Sequence, residues 1–138
     1  MKINEVEKLE IVTLQDNYID LVAQDNSEVV QRAIPAKNGE LRHSIHAEHG
    51  FSAFITITKN GTSHNMLFDF GFSEDGAALN AKALNVDLAS VEVLALSHGH
   101  IDHLGGLEKL IKAGQLQNLN LVLHPGAFIC LLYTSDAA

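Results

Sequence analysis

The chain has 138 residues, 46% of them hydrophobic and 19% charged, a mixture that suits one modest globular core rather than several domains or a disordered tail. Seventeen acidic residues against nine basic ones leave a net charge of −8, and the basic residues never cluster, which disfavours a nucleic-acid or anionic-lipid binding module. The N-terminal MKINEVEKLE has no apolar h-region and no uninterrupted run of about 18 apolar residues occurs, so neither a signal peptide nor a membrane span is expected and a cytoplasmic setting is the default.

Leu9 to Leu14 and Tyr18 to Val22 read as short strands around a polar Gln15-Asp16-Asn17 turn, because β-branched and apolar residues dominate each run. Gln24 to Arg42 is polar, holds Pro35 and an Asn38-Gly39 pair, and reads as a long loop with room for a short helical turn. Phe51 to Thr58 and Met66 to Phe70 flank Asn60-Gly61, whose tolerance of positive φ marks a tight hairpin turn, with Ala53, Ile55 and Ile57 sharing one strand face. Ser73 followed by Glu74 and Asp75 is an N-cap signal, and Ala77, Ala81 and Leu84 recur at helical spacing, which predicts a helix over Glu74 to Leu84.

Val91 to Leu96 is apolar without alternation and too short for a helix, as expected of a strand covered on both faces. Leu107, Leu110 and Ile111 share a helical face, with Gly114 expected at C′. Leu119, Leu121 and Leu123 alternate into a further strand that Pro125 stops. Hairpin, helix, strand, helix, strand is an α/β order with a mixed sheet and flanking helices.

Histidine is over-represented, eight in this length, and three lie in Ser97-His98-Gly99-His100-Ile101-Asp102-His103-Leu104-Gly105-Gly106. The spacing H-x-H-x-D-H at the end of a buried strand is far too specific for compositional chance. His98 and His100, two apart, can turn their imidazoles to one metal ion while Asp102 and His103 face a second. Imidazole with carboxylate is a donor set that suits zinc, with manganese and iron left open. Gly99 lets the loop bend, and Gly105 and Gly106 allow close packing where the next helix begins. No P-loop, G-x-S-x-G or dinucleotide-binding fingerprint competes with this cluster.

This pattern resembles the metallo-β-lactamase superfamily, and the likeness runs from Leu9 to Ile129. The resemblance implies an αββα sandwich of which this chain holds the N-terminal half, with the histidine motif at the sandwich edge. It implies two divalent metal ions, zinc foremost, with His98 and His100 on the first and Asp102 and His103 on the second. Asp102 is also the expected catalytic residue, holding a metal and orienting the attacking hydroxide. Leu67-Phe68-Asp69-Phe70-Gly71 is similar to the family's L-F-D-T-G motif, which makes Asp69 a buried support for the histidine loop. Phe70 stands where a threonine is usual, so a hydroxyl neighbour of Asp69 is expected to be lost.

Ala47-Glu48-His49-Gly50-Phe51-Ser52-Ala53, taken with the histidine motif, resembles a narrower group of metal-dependent hydrolases akin to a dihydropterin-linked ribofuranosylaminobenzene-phosphate synthase. That likeness implies a small-molecule substrate, pterin- or phosphate-related. His49 and His124 are candidate pocket residues, whereas His43, His46 and His64 sit in polar sequence and read as surface. The family's third histidine, bridging aspartate and last histidine have no match here and are expected beyond Ile129, in the missing C-terminal half of the fold.

Residues 130–138, Cys130-Leu131-Leu132-Tyr133-Thr134-Ser135-Asp136-Ala137-Ala138, resemble a translated transposase-adapter sequence, so the domain is expected to span 1–129. With Cys130 the sole cysteine, disulfide frameworks and cysteine-based zinc ribbons are excluded. The expected function is metal-dependent hydrolysis of an ester, amide or phosphoester, with this chain alone expected to be inactive. The alternative is a truncated, non-catalytic metal-binding module with half of the metal site. A di-iron electron-transfer role is a further alternative within the superfamily.

Overall fold

A computed structural model describes residues 4–20, 23, 25–33 and 45–128, together with the backbone of 36–37 and 40–41. The expected boundary at Ile129, the 130–138 tail with Cys130, and His43 lie outside the described residues.

The hairpin is the longest local structure: β4 (Ser52–Lys59) turns through Asn60 and Gly61, at φ 51° and 73°, into β5 (Thr62–Phe70). Both residues lie in the left-handed region that a type I′ turn requires. β1 (Lys8–Gln15) pairs antiparallel with β4, placing Leu9 beside Ile57 and Ile11 beside Ile55. Two-residue strands β2 (Ala36–Lys37) and β3 (Glu40–Leu41) form a separate small ladder.

α1 (Gly76–Ala83) carries the chain back so that β6 (Val91–Leu96), entered through a 3₁₀ turn at Leu88–Ser90, pairs parallel with β5. The one-turn α2 (Ile101–Leu104) and α3 (Leu107–Gly114) follow, and β7 (Asn120–Leu123) adds parallel to β6. The result is a mixed five-stranded sheet ordered β1-β4-β5-β6-β7. Leu14, Phe54, Leu67, Leu94 and Leu96 on one sheet face pack with Ala77 and Ala81 of α1 and Leu110 of α3 to make the core. The other face is also apolar, running from exposed Leu9 and Ile11 through Ile55, Ile57, Met66 and Phe68.

Several sequence expectations are corrected. The predicted second strand is absent over Tyr18–Asp20, because the chain leaves the sheet after Gln15: Glu48 N–H donates to the Asp16 carbonyl and Gly50 N–H to Asn17 Oδ1. Within 25–33 no helical turn forms; Arg32 instead closes a polar turn on Asp25 at 2.6 and 2.7 Å. Helix α1 starts later than predicted, since Ser73 gives its backbone N–H and hydroxyl to Glu48 while its oxygen still accepts from Gly76 N–H at 3.0 Å.

The left-handed residue after α3 is Gln115, at φ 53°, and not Gly114. Gly114 is helical and buried where a Cβ would lie 2.8 Å from the Leu88 carbonyl oxygen, so its smallness serves packing rather than a turn.

Two outcomes follow from this packing. Leu67 is wholly buried, and Leu67→Ala should lower unfolding free energy by about 2–5 kcal/mol in a denaturant titration. The uncovered apolar face should make the isolated chain self-associate. Light scattering should therefore give a mass above the monomer that falls in Ile11→Lys, whereas a monomeric parent would contradict this.

Candidate metal centre

The parallel pair β5 and β6 ends its two strands side by side, and the site is built on those ends. Asp69, the penultimate residue of β5, is 1% exposed and adopts φ 54°, a backbone conformation that aspartate tolerates better than most residues. A buried carboxylate is costly unless fully hydrogen-bonded, and this one has three donors. Ser97 N–H reaches Oδ1 at 2.7 Å, while Ser97 Oγ–H and His103 Nδ1–H each reach Oδ2 at 2.7 Å. The hydroxyl beside Asp69 thus comes from Ser97, across the strand pair, with Phe70 turned into the core.

These bonds favour one neutral tautomer for each of two rings. An ionised carboxylate only accepts, so His103 carries its proton on Nδ1 and leaves a lone pair on Nε2. The Ser97 hydroxyl has its one hydrogen on Asp69, so at 2.9 Å it accepts from His98 Nδ1–H, and His98 likewise presents Nε2. The rings of His98 and His103 are 4.3 Å apart between centroids, and His100 stands edge-on to His98 at 4.5 Å. Asp102 is 19% exposed and places Oδ2 3.5 Å from His103 Nε2 and 3.2 Å from His49 Nε2.

His103 Nε2 and Asp102 Oδ2 are then two acceptors facing each other. Zinc ligands at about 2.0–2.2 Å and a tetrahedral angle stand roughly 3.3–3.6 Å apart, so this spacing and donor chemistry fit one shared divalent ion. Among the described residues, however, no three His, Cys, Asp or Glu side chains converge enough to enclose a metal ion. The fit is that of an open pair, which further ligands must complete.

The loop is seated by backbone contacts that only glycine allows. A Cβ on Gly105 would lie 1.7 Å from the Phe72 carbonyl oxygen. Gly99, expected to supply a bend, does not need positive φ; its value is closeness, since a Cβ there would fall 1.8 Å from the Ala127 carbonyl oxygen.

His49 is 70% exposed beside Asp102, with its ring edge-on to Phe72 at 6.2 Å. His124 is turned onto its own bend, Nδ1 accepting from Gly126 N–H at 3.0 Å, and has no described contact with the cluster. His64 pairs with Glu92 at 2.8 Å on the surface, away from the motif. Sequence reasoning missed Ser97 as a bridge, Phe72 at the rim, and Glu48, whose two oxygens take the N–H and O–H of Ser73 at 2.7 Å. A serine directly before the first motif histidine, at a strand end, was the available signal for Ser97.

A family model described as "Metallo-beta-lactamase superfamily" matches residues 48–119, just over half of the chain and the span that holds both Asp69 and the histidine motif. The chain is similar to the 7,8-dihydropterin-6-methyl-4-(beta-D-ribofuranosyl)-aminobenzene-5'-phosphate synthase of Methanocaldococcus jannaschii, 33% identical over 82 residues, which cover 59% of this chain and 28% of that protein. It is 35% identical over 83 residues to the uncharacterized protein MJ0448 of the same organism, covering 60% of this chain and 30% of that one. Among solved structures, the Rm3 metallo-beta-lactamase aligns with a TM-score of 0.44 and 28% identity over 63% of this chain and 30% of its own. The chain thus spans under a third of the length of the curated relatives it matches. By the match over 48–119, the chain belongs to the metallo-beta-lactamase superfamily.

Proposed function

We propose that this chain carries part of the dinuclear centre of a metal-dependent hydrolase acting on an ester, amide or phosphoester. The observation that carries this reading is the Asp69 junction, which engages Nδ1 of His103 and, through Ser97, of His98, and so leaves both Nε2 atoms free as ligands, that of His103 3.5 Å from Asp102 Oδ2. His98 and His100 would hold one ion, and Asp102 with His103 the second, zinc being the best match to these donors. A bound divalent ion supplies a Lewis acid that acidifies water and polarises a carbonyl or phosphoryl group.

The chain's own contribution is orientation. Asp69 keeps both imidazoles in one tautomer, which raises their basicity as ligands. Asp102, partly open to solvent, is the carboxylate placed to accept a proton or orient a nucleophile. His49 and His124 would line the approach. Similarity to the synthase supports a small pterin- or phosphate-related substrate. No described helix is long and apolar enough to cross a membrane.

A second reading is a binding module that keeps a metal only as structure, without turnover. Water relaxation in the manganese-loaded chain separates the two: an exchangeable water supports catalysis, and its absence supports a closed structural site.

With the rest of the dinuclear centre supplied, zinc-dependent hydrolysis of chromogenic ester and phosphodiester substrates should fall to background in His98→Ala and in Asp102→Ala; full activity in both would refute the proposal. Asp69→Asn keeps the shape and tolerates the backbone angle, but its single oxygen cannot serve all three donors, since the NH2 must face either Ser97 N–H or the pair Ser97 Oγ–H and His103 Nδ1–H. Competition with a chromophoric chelator should therefore show zinc affinity reduced about 10- to 100-fold while cooperative unfolding is retained.

A further inference from the structure

Three successive residues on one loop converge on a single residue of the histidine motif. Phe51 N–H donates to the Asp102 carbonyl oxygen at 3.3 Å. Gly50, at φ +111°, lies so close that a Cβ would fall 2.1 Å from that same oxygen. His49 Nε2 reaches Asp102 Oδ2 at 3.2 Å. The two groups lie side by side at that spacing.

The loop that makes these contacts is itself held from behind. Glu48 N–H donates to the Asp16 carbonyl at 3.1 Å, and the Glu48 carboxylate takes both Ser73 donors. Gly50 N–H donates to Asn17 Oδ1 at 2.9 Å. Backbone fixed at Glu48, Gly50 and Phe51 leaves His49 little freedom in where its ring begins, yet the ring is 70% exposed and contributes little to the core. An exposed side chain on so constrained a backbone is better explained by its approach to Asp102 than by packing.

We infer that His49 is a positioning residue for Asp102: its Nε2, 3.2 Å from Oδ2, keeps the carboxylate facing His103 Nε2, ready for a divalent ion. The inference rests on Asp102 being a metal ligand, as in the reading above. Residues 49–51 fix the backbone and side chain of Asp102 together, and α2, only one turn long, is too short to hold that residue by its own hydrogen bonds.

The test uses the full chain, with zinc as the probe. His49→Ala should weaken zinc binding about 10-fold or more in chelator competition. In the metal-free protein, the same variant should speed amide exchange at His103 and Gly105, whose N–H groups close α2 on the His100 and Ile101 carbonyls. Exchange at Leu110 in α3 should stay as in the parent. His49→Gln, which keeps an N–H donor, should restore both readings to within about threefold of the parent. Parent-like zinc affinity and exchange in His49→Ala would overturn the inference, as would a His49→Gln variant no better than His49→Ala. If the parent binds no zinc, the proposed function fails by itself, and the exchange comparison still decides whether His49 holds Asp102.

Discussion

One buried carboxylate organises this molecule. Asp69 lies where β5 ends, in a backbone conformation few side chains accept, and its charge is tolerable only because three donors meet it. Two of those donors belong to Ser97 at the end of β6, and the third to His103 on α2. Removing any of them would leave a partly unsatisfied anion in a dry place, so the strand ends and the short helix are fixed relative to one another by the same group. That the parallel strands deliver the cluster at their carboxyl ends agrees with the general behaviour of open α/β sheets.

Around this junction the packing is backbone against backbone. Gly105 and Gly106 lie on the Phe72 and Phe70 carbonyls, Gly50 on that of Asp102, and Gly99 on that of Ala127. Such contacts leave no lever arm of side-chain rotamers, so a shift in one segment passes directly to the next. Glu48 extends the linkage to the start of α1 through Ser73, and Asn80 continues it: its side chain donates to the Leu14 and His46 carbonyls and accepts from His46 N–H. The rim loop is thus tied to the core from both ends.

Much of this was legible because the signals were local. Asn60-Gly61 between two apolar runs specifies the hairpin, and Val91 to Leu96 is recovered residue for residue because an apolar run of that length has few alternatives. The spacing of His98, His100, Asp102 and His103 marked the candidate site without any knowledge of the fold. What escaped was set by distant partners. Tyr18 to Asp20 has strand composition, yet Asp16 and Asn17 are occupied by the loop at Glu48 and Gly50. Ser73 is a cap signal displaced by a carboxylate that is remote in sequence. Gly114 has the smallness of a helix terminator, but Leu88 uses it for close approach while Gln115 turns the chain. Composition records a residue's chemistry, not which remote group reaches it first.

The seat of Gly99 against Ala127 has an implication for how the molecule is made. Ala127 follows β7, so during synthesis the histidines emerge before the carbonyl that seats them has been built. Asp69 and Ser97 are already present by then and can fix the strand ends, but the bend of the motif loop waits for β7 to dock. The motif loop is therefore the last part of this region to be seated.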